Sequence, residues 1–285
     1  MLKPGVVAGF DGSASSARAL EWAAGEAKLR GVPLTVCHAW AAPVSAGAIS
    51  PATTEPMRQD AKGILARGVM VAGRHAAGRQ VQGLLLSGPA APALVYASQD
   101  AELLVAGSRG AGSSRWLGLG SLSAQLTMHA RCPVEIVRGS GAWRGSAVVV
   151  GVDGSPSSHS AAGFAFEQAA MRGLPLTAVS SWWEPRCPAD PKTTDALHFP
   201  RMRQRARDRA ESVTSQWREK FPEVSFTSSF VMEPPRVALC EAAQGAGLLV
   251  VGARGLGGIP GLLLGSVSQA VLEHAPCPVA VIRLG

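Results

Sequence analysis

The chain runs to 285 residues, 47% of them hydrophobic and 16% charged, so about two domains with real cores are expected and a mainly disordered chain is excluded. Mean hydropathy is only +0.16 and no 18-residue apolar run occurs, which argues against a transmembrane helix; Met1–Ser13 has neither a long apolar stretch nor a cleavage site, so a cytoplasmic protein with no membrane partner is expected. The formal charge of +7, from 27 basic and 20 acidic side chains, suits anionic partners such as nucleotides, nucleic acid or acidic proteins without choosing among them.

In chain order, residues 4–10 form a short apolar run that stops at the turn signal Asp11-Gly12. Residues 14–30 carry helical spacing (Leu20, Ala23, Ala24, Ala27) and end at Gly31. Residues 33–40 read as a strand, and the Pro/Ala/Ser-rich stretch 41–56 as a loop. A helix over 57–74, a strand over 80–86, a helix over 90–99 and a buried strand over 102–106 follow. After a glycine-rich loop come a helix over 121–130 and a last strand over 133–138. Strands near 147–152, 176–182, 224–231, 247–251 and 278–283 then repeat the same order.

The repetition is also literal. Val7-Ala8-Gly9-Phe10-Asp11-Gly12-Ser13 returns as Val149-Val150-Gly151-Val152-Asp153-Gly154-Ser155, an offset of 142. Gly107-Ser108-Arg109-Gly110 returns as Gly252-Ala253-Arg254-Gly255, and His129-Ala130-Arg131-Cys132-Pro133-Val134 as His274-Ala275-Pro276-Cys277-Pro278-Val279, both offset by 145. The chain is therefore a duplication, with domains expected at 1–140 and 146–285 and a linker over Gly139–Ser146. Regular strand–helix alternation implies a parallel sheet covered by helices on both faces. In such sheets ligands bind at strand carboxyl ends, at a switch point of strand order. Asp11, Gly107, Asp153 and Gly252 all stand at such ends.

The loop after the fourth strand reads Gly107-x2-Gly110-x9-Gly120-Ser121 in the first copy and Gly252-x2-Gly255-x9-Gly265-Ser266 in the second. Glycine just past a strand lets backbone approach a ribose or phosphate. Gly-Ser opening a helix offers free amides, a favourable dipole and a hydroxyl to an anion. Ser123 and Ser268 are expected within reach of the same anion.

With its Asp-Gly-Ser turn, this loop and its His-Ala-x-Cys-Pro-Val ending, each present twice, the chain resembles the universal stress protein family in its tandem two-domain form. The resemblance covers nearly the whole chain. It implies two Rossmann-like domains of the adenine nucleotide alpha hydrolase-like type, each with a five-stranded parallel sheet flanked by helices, and ATP as ligand. By the same resemblance Asp11 and Asp153 address the nucleoside end, and Cys37 and Val179 contact adenine mainly through backbone. Gly107, Gly110, Gly120 and Ser121 would hold ribose and phosphates, as would Gly252, Gly255, Gly265 and Ser266; Leu122 and Val267 would each add a backbone amide. Mg²⁺ is expected to bridge phosphates with few protein ligands. The first copy departs from the second in mid-loop, where Ser113-Ser114-Arg115-Trp116 replaces Gly258-Ile259-Pro260-Gly261, so equal sites are not assumed. In this family the last strands, Pro133–Arg138 and Pro278–Arg283, commonly pair across a two-fold axis. An intrachain pseudo-dimer and a homodimer are therefore both open.

Other features read more plainly. The five cysteines, at 37, 132, 187, 240 and 277, include no C-x-x-C pair, so buried thiols are expected rather than a disulfide framework or zinc ribbon. His129 and His274 suit the dipole at a helix end, with no metal role expected. Arg201, Arg203, Arg205, Arg207 and Arg209 lack interleaved aromatics, so a solvated helix is expected rather than a nucleic-acid surface. No Gly is followed by Lys, and G-x-S-x-G, H-E-x-x-H and G-x-G-x-x-G are absent. The expectation is thus a nucleotide-dependent regulator with no catalytic residues, acting in the stress response on an unknown protein partner. The alternatives are a weak ATPase or phosphotransfer enzyme using Asp11 or His38 as base, and a sensor of cyclic adenine nucleotides.

Overall fold

The computed structural model describes residues 5–41, 51–110, 121–139, 143–183, 198–257 and 263–283. The chain divides into two compact units, Met1–Arg144 and Gly145–Leu284. In the first unit β1 (Val6–Gly9), α1 (Ala14–Arg30), β2 (Leu34–Trp40), α2 (Pro51–His75), β3 (Val81–Ser87), α3 (Ala90–Ala97), β4 (Leu103–Gly107), α4 (Ser121–His129) and β5 (Val134–Val137) alternate without interruption. Its five strands lie in the order β3-β2-β1-β4-β5. All four pairings are parallel, with Val6 beside Leu34 on one flank of β1 and Leu103 on the other. The order reverses between β1 and β4, so the chain leaves the two central strands in opposite directions and opens a crevice at their carboxyl ends.

The second unit repeats the plan: β6 (Val148–Gly151), α5 (Pro156–Arg172), β7 (Leu176–Ser181), α6 (His198–Lys220), β8 (Phe226–Val231), α7 (Pro235–Ala242), β9 (Leu248–Gly252), α8 (Ser266–His274) and β10 (Val279–Ile282). Its order is β8-β7-β6-β9-β10, again with parallel pairings throughout. This is the α/β, Rossmann-like five-stranded sheet expected for each copy.

Local chemistry accounts for the elements. The central strands are short and apolar on both faces, and every residue of β1, Val6–Gly9, is buried, as helices on both faces of a parallel sheet require. Ser13 caps α1 by accepting the Ser16 N–H at 3.1 Å, and Ser155 caps α5 by accepting from Ser158 at 3.2 Å. Both helices end where Gly31 (φ 74°) and Gly173 (φ 61°) take the left-handed conformation that a side chain resists. Leu34, Leu103 and Leu104 are fully buried, each stabilising the fold by about 1.5–3 kcal/mol.

One expectation is corrected. Residues 51–56 are not loop: α2 begins at Pro51 and carries Pro56 inside it. A proline at the first helical position lacks an N–H that would have no partner anyway, and Pro56 stands on an exposed face. The boundary between the units, Arg144/Gly145, falls inside the expected linker, and the described residues of that segment pack on their own units. The Trp143 ring stacks on Trp22 of α1 with centroids 5.3 Å apart. Gly145 lies so tightly on Ala246-Gly247 that a Cβ there would collide with that backbone.

Candidate functional site

In the second unit the crevice is a cavity of about 380 Å³ at the carboxyl ends of β6, β7 and β9, within the range of small-molecule sites. Its two ends differ in chemistry. One end is an apolar slot between Val152 and Val179 on the sheet and Pro235 and Leu239 on α7. The other is the start of α8, where Gly265, Ser266, Val267 and Ser268 line the wall. Gly265 is the cap residue, contributes no side-chain hydrogen bond, and is followed by a first turn without an acid. The first intrahelical bond runs from Gln269 N to Gly265 O at 3.0 Å. The amides of Ser266, Val267 and Ser268 therefore precede the helical ladder and have no capping side chain. An anion is the natural complement to such a terminus.

Asp153 holds the site together. Its Oδ1 accepts the Ser155 N–H at 2.9 Å, shaping the turn after β6. Its Oδ2 accepts the Leu256 N–H at 2.9 Å, fastening the glycine loop after β9 to that turn. Ser155 Oγ adds a bond to Arg254 O at 3.2 Å. In the first unit Asp11 Oδ1 likewise accepts from Ser13 N at 3.0 Å. The sequence pointed to these aspartates as ligand contacts; the structure also makes Asp153 a clasp between two loops.

The glycines have a second use that the motif did not reveal. Gly107 and Gly252 line their cavities, but the space where a side chain would stand is filled by protein. A Cβ on Gly107 would meet Ser15 Oγ at 2.6 Å, and one on Gly252 would meet Ser157 Cβ at 2.7 Å and its carbonyl carbon at 2.8 Å. Gly255 faces Asp153 Oδ2 at 2.5 Å in the same sense. These positions must be small so that the loop can close on the starts of α1 and α5. Gly110 and Leu122 line the first cavity. Ser121 opens α4 on an exposed position, while Gly120 and the Ser113–Trp116 segment lie outside the described residues.

Ser123 and Ser268, expected within reach of an anion, have a structural use in the fold. Both are buried. Ser123 Oγ donates to Gly107 O at 3.0 Å, and Ser268 Oγ stands within 3.0 Å of Ala253 O and 2.8 Å of Gly265 O. The Ser123 hydroxyl thus ties α4 to the end of β4, and the Ser268 hydroxyl lies between the carbonyls of the helix cap and of the loop after β9. Cys37 and Val179 lie in the cavity walls, and their carbonyls accept the Phe10 and Val152 N–H groups at 2.8 and 2.9 Å within the sheet. Burial pushes the Cys37 thiol up to about 12 and the Cys132 thiol to about 11. No disulfide joins Cys37, Cys132, Cys240 or Cys277.

The arginine-rich segment lies on α6 and covers the edge strand β8. The Arg207 guanidinium sits 4.6 Å from the Phe230 ring centroid and Arg218 lies 5.4 Å from that of Phe226, so long stems and flat cations shield a strand that would otherwise pair with another chain. His274 Nδ1 lies 2.9 Å from Ala270 O, one turn back at the end of α8. Among the described residues no cluster of three His, Cys, Asp or Glu is able to hold a metal ion, and no helix is long and apolar enough to cross a membrane.

The family model of the universal stress protein family matches residues 5–138 and, a second time, 146–283. The chain belongs to the universal stress protein family. Among similar members, Rv2005c of Mycobacterium tuberculosis is 36% identical over 98% of this chain and 97% of its own length. Rv2623 of the same organism is 33% identical over 98% of this chain and 96% of its own. A crystal structure of a universal stress protein from Archaeoglobus fulgidus superposes with a TM-score of 0.71 at 20% identity, covering 99% of this chain and 96% of that one, which shows the fold. In the first unit the described residues line a cavity of about 50 Å³ at the equivalent place. Sequence reasoning missed Pro235, Leu239 and Leu256, which complete the larger cavity. The i, i+4 spacing of Pro235 and Leu239 at the start of a helix was the available signal.

Proposed function

We propose that this universal stress protein binds ATP in its second unit and acts through occupancy rather than turnover, presenting different surfaces to a protein partner in the liganded and unliganded states. The observation that carries the reading is the cavity of about 380 Å³ with an apolar slot at one end and the uncapped start of α8 at the other. A purine matches the first by shape and burial, and phosphates match the second by charge. The donor set fits a Mg²⁺ ion held chiefly by phosphates and water: Asp153 is the acid lining the cavity among the described residues, and both its oxygens already accept backbone N–H groups. When bound, the ion would neutralise phosphate charge. The same commitment of Asp153 supports a role without turnover, because a carboxylate whose two oxygens hold the loops together is not free to turn toward a substrate proton. Among the described residues the buried Cys37, Cys132 and Cys277 form no disulfide, which fits a reducing, cytoplasmic setting.

The test is calorimetric titration of the full chain with ATP, AMP, cyclic AMP and adenosine in the presence of Mg²⁺, with chromatography of the nucleotide afterwards. ATP binding tighter than adenosine, with ATP recovered intact, is expected. Absence of ATP binding at millimolar concentration would remove the nucleotide reading. Steady conversion to ADP would replace occupancy by catalysis, and a clear preference for cyclic AMP would replace ATP as ligand.

A further inference from the structure

The first half of α6 is helix that adds nothing to the core of its unit. α6 leads into β8 at the amino end of the sheet, so it starts at the crevice end. Arg209, at its middle, lies on the turn after β6: a Cβ on Gly154 would meet Arg209 Cβ at 2.8 Å. The residues before it, His198–Asp208, therefore run on past the end of β6, about 16 Å of helix at 1.5 Å per residue. From Pro200 to Arg209 no residue is buried, whereas Ala210, Val213 and Thr214 are. The second half anchors the helix, and the first half stands as an arm beside the mouth of the crevice.

The arm is strongly basic. Between Pro200 and Arg209, the five arginines 201, 203, 205, 207 and 209 face Asp208 alone, whose Oδ1 already takes the Gln204 amide at 2.8 Å. The rest of the helix balances Glu211 and Glu219 with Arg218 and Lys220. None of the five arginines makes an ion pair among the described residues. Like charges at i and i+4, as in Arg201/Arg205 and Arg203/Arg207, work against a helix. The fold does not require them. The matching stretch of α2, Glu55–Ile64, balances Glu55 and Asp60 with Arg58 and Lys62. There Ile64 stands opposite Gly12 as Arg209 stands opposite Gly154.

The arm also has an apolar edge. Met232, just past β8, is 55% exposed, and its Sδ lies 3.5 Å from Arg203 Nη1. A segment laid across the helix from Met232 meets Arg203 and Arg207 first and then Arg201 and Arg205 on the outer side. We propose that this arm is the docking surface for an acidic segment of a protein partner, with carboxylates on Arg201 and Arg205 and an apolar side chain on Met232. Nothing from Pro200 to Arg209 is aromatic, so nucleic-acid bases have no ring to stack on. The apolar side of the helix is turned inward at Ala210 and Val213, so no apolar stripe is free to enter a bilayer. The proposal gives the partner of the proposed function a place and a chemistry, and rests on that reading only for there being a partner. The turn under Arg209 carries Asp153, so the arm borders the nucleotide site.

Fluorescence anisotropy of the full chain with a labelled peptide that alternates glutamate and leucine tests the proposal. Saturable binding at micromolar protein, weakening with salt, is expected. Arg201→Glu/Arg205→Glu should weaken it about tenfold, since two exposed pairs are lost and two repulsions gained. Met232→Gln should weaken it less. Lys62→Glu/Arg67→Glu, an equal charge change on α2, should leave it unchanged, with circular dichroism checking that each variant is folded. No saturable binding by wild type, or undiminished binding by folded Arg201→Glu/Arg205→Glu, would overturn the proposal. Equal affinity for a peptide of glutamate and serine would do the same, because the contact at Met232 would then count for nothing. Tighter binding of duplex DNA or of phosphatidylglycerol vesicles, lost in the arginine variant, would replace the protein partner and overturn it too. Should the arginine variant not fold, Met232→Gln and the salt dependence decide. Titrating ATP into the same samples separates the two readings: ATP binding without peptide binding removes the arm alone, and peptide binding without ATP binding keeps the arm and removes the nucleotide.

Discussion

Ser266→Glu is the sharpest single perturbation, because it is expected to move stability and ligand affinity in opposite directions. Ser266 is the first residue of α8, is exposed, and follows a glycine cap that offers no side-chain acceptor. A carboxylate here faces amides with no helical partner, and the dipole favours it by about 0.3–1 kcal/mol. A phosphate bound to the same amides would meet a like charge. At about 4 Å and an effective dielectric near 20 the repulsion is about 4 kcal/mol. Allowing the side chain to swing away, a loss of about 10²-fold in ATP affinity is expected, at about 1.4 kcal/mol per tenfold. The assay pairs thermal unfolding without nucleotide with calorimetric titration of ATP and, as a control lacking phosphate, adenosine. The expected pattern is a slightly raised melting temperature, weakened ATP and unchanged adenosine. Undiminished ATP affinity would refute the start of α8 as the phosphate site. A lowered melting temperature would refute the claim that those amides lack a partner.

Three further outcomes follow from packing and titration. Gly252→Ala would drive a Cβ to 2.8 Å from the Ser157 backbone carbon, and overpacking of this kind costs about 1–3 kcal/mol in denaturant unfolding; Gly257→Ala, with nothing within 4 Å, should be nearly neutral. Trp22→Phe removes the indole donor 2.6 Å from the buried Glu135 carboxylate and should cost about 1.5–3 kcal/mol, measured as a shifted urea midpoint at constant slope. Burial raises the Cys37 thiol from its ordinary 9.0 to about 12 and Cys132 to about 11. Above pH 9 the unfolded chain therefore holds fewer protons than the native one. Stability should fall as pH rises through 9 to 12, by at most about 1.4 kcal/mol per pH unit for each thiol; a flat profile in Cys37→Ala/Cys132→Ala against a falling wild type is the check. Both thiols should also resist alkylation at pH 8 until the protein unfolds.

The sequence alone determined the repeat, the alternation of strand and helix, and the place of the crevice. Each is local. Asp11-Gly12-Ser13 and its copy cap their helices through contacts within three residues, and the strand runs are apolar wherever helices cover both faces. Tertiary structure decided the rest, because the deciding contacts join residues far apart in the chain. Gly107 and Gly252 read as openings for a ligand, but the atoms that demand a glycine belong to Ser15 and Ser157 on a distant helix start. Ser123 read as a donor to an anion, but in the fold its hydroxyl also meets the Gly107 carbonyl sixteen residues earlier. Residues 51–56 read as loop because proline there was weighed without knowing that one stands at a helix start and the other on an open face. His38 was legible only as a candidate base; that its ring reaches the Phe10 carbonyl and lies in the crevice depends on the pairing of β1 with β2. Spacing along a chain shows which backbone groups a turn can gather, whereas the volume left between them is set by side chains that arrive from elsewhere in the fold.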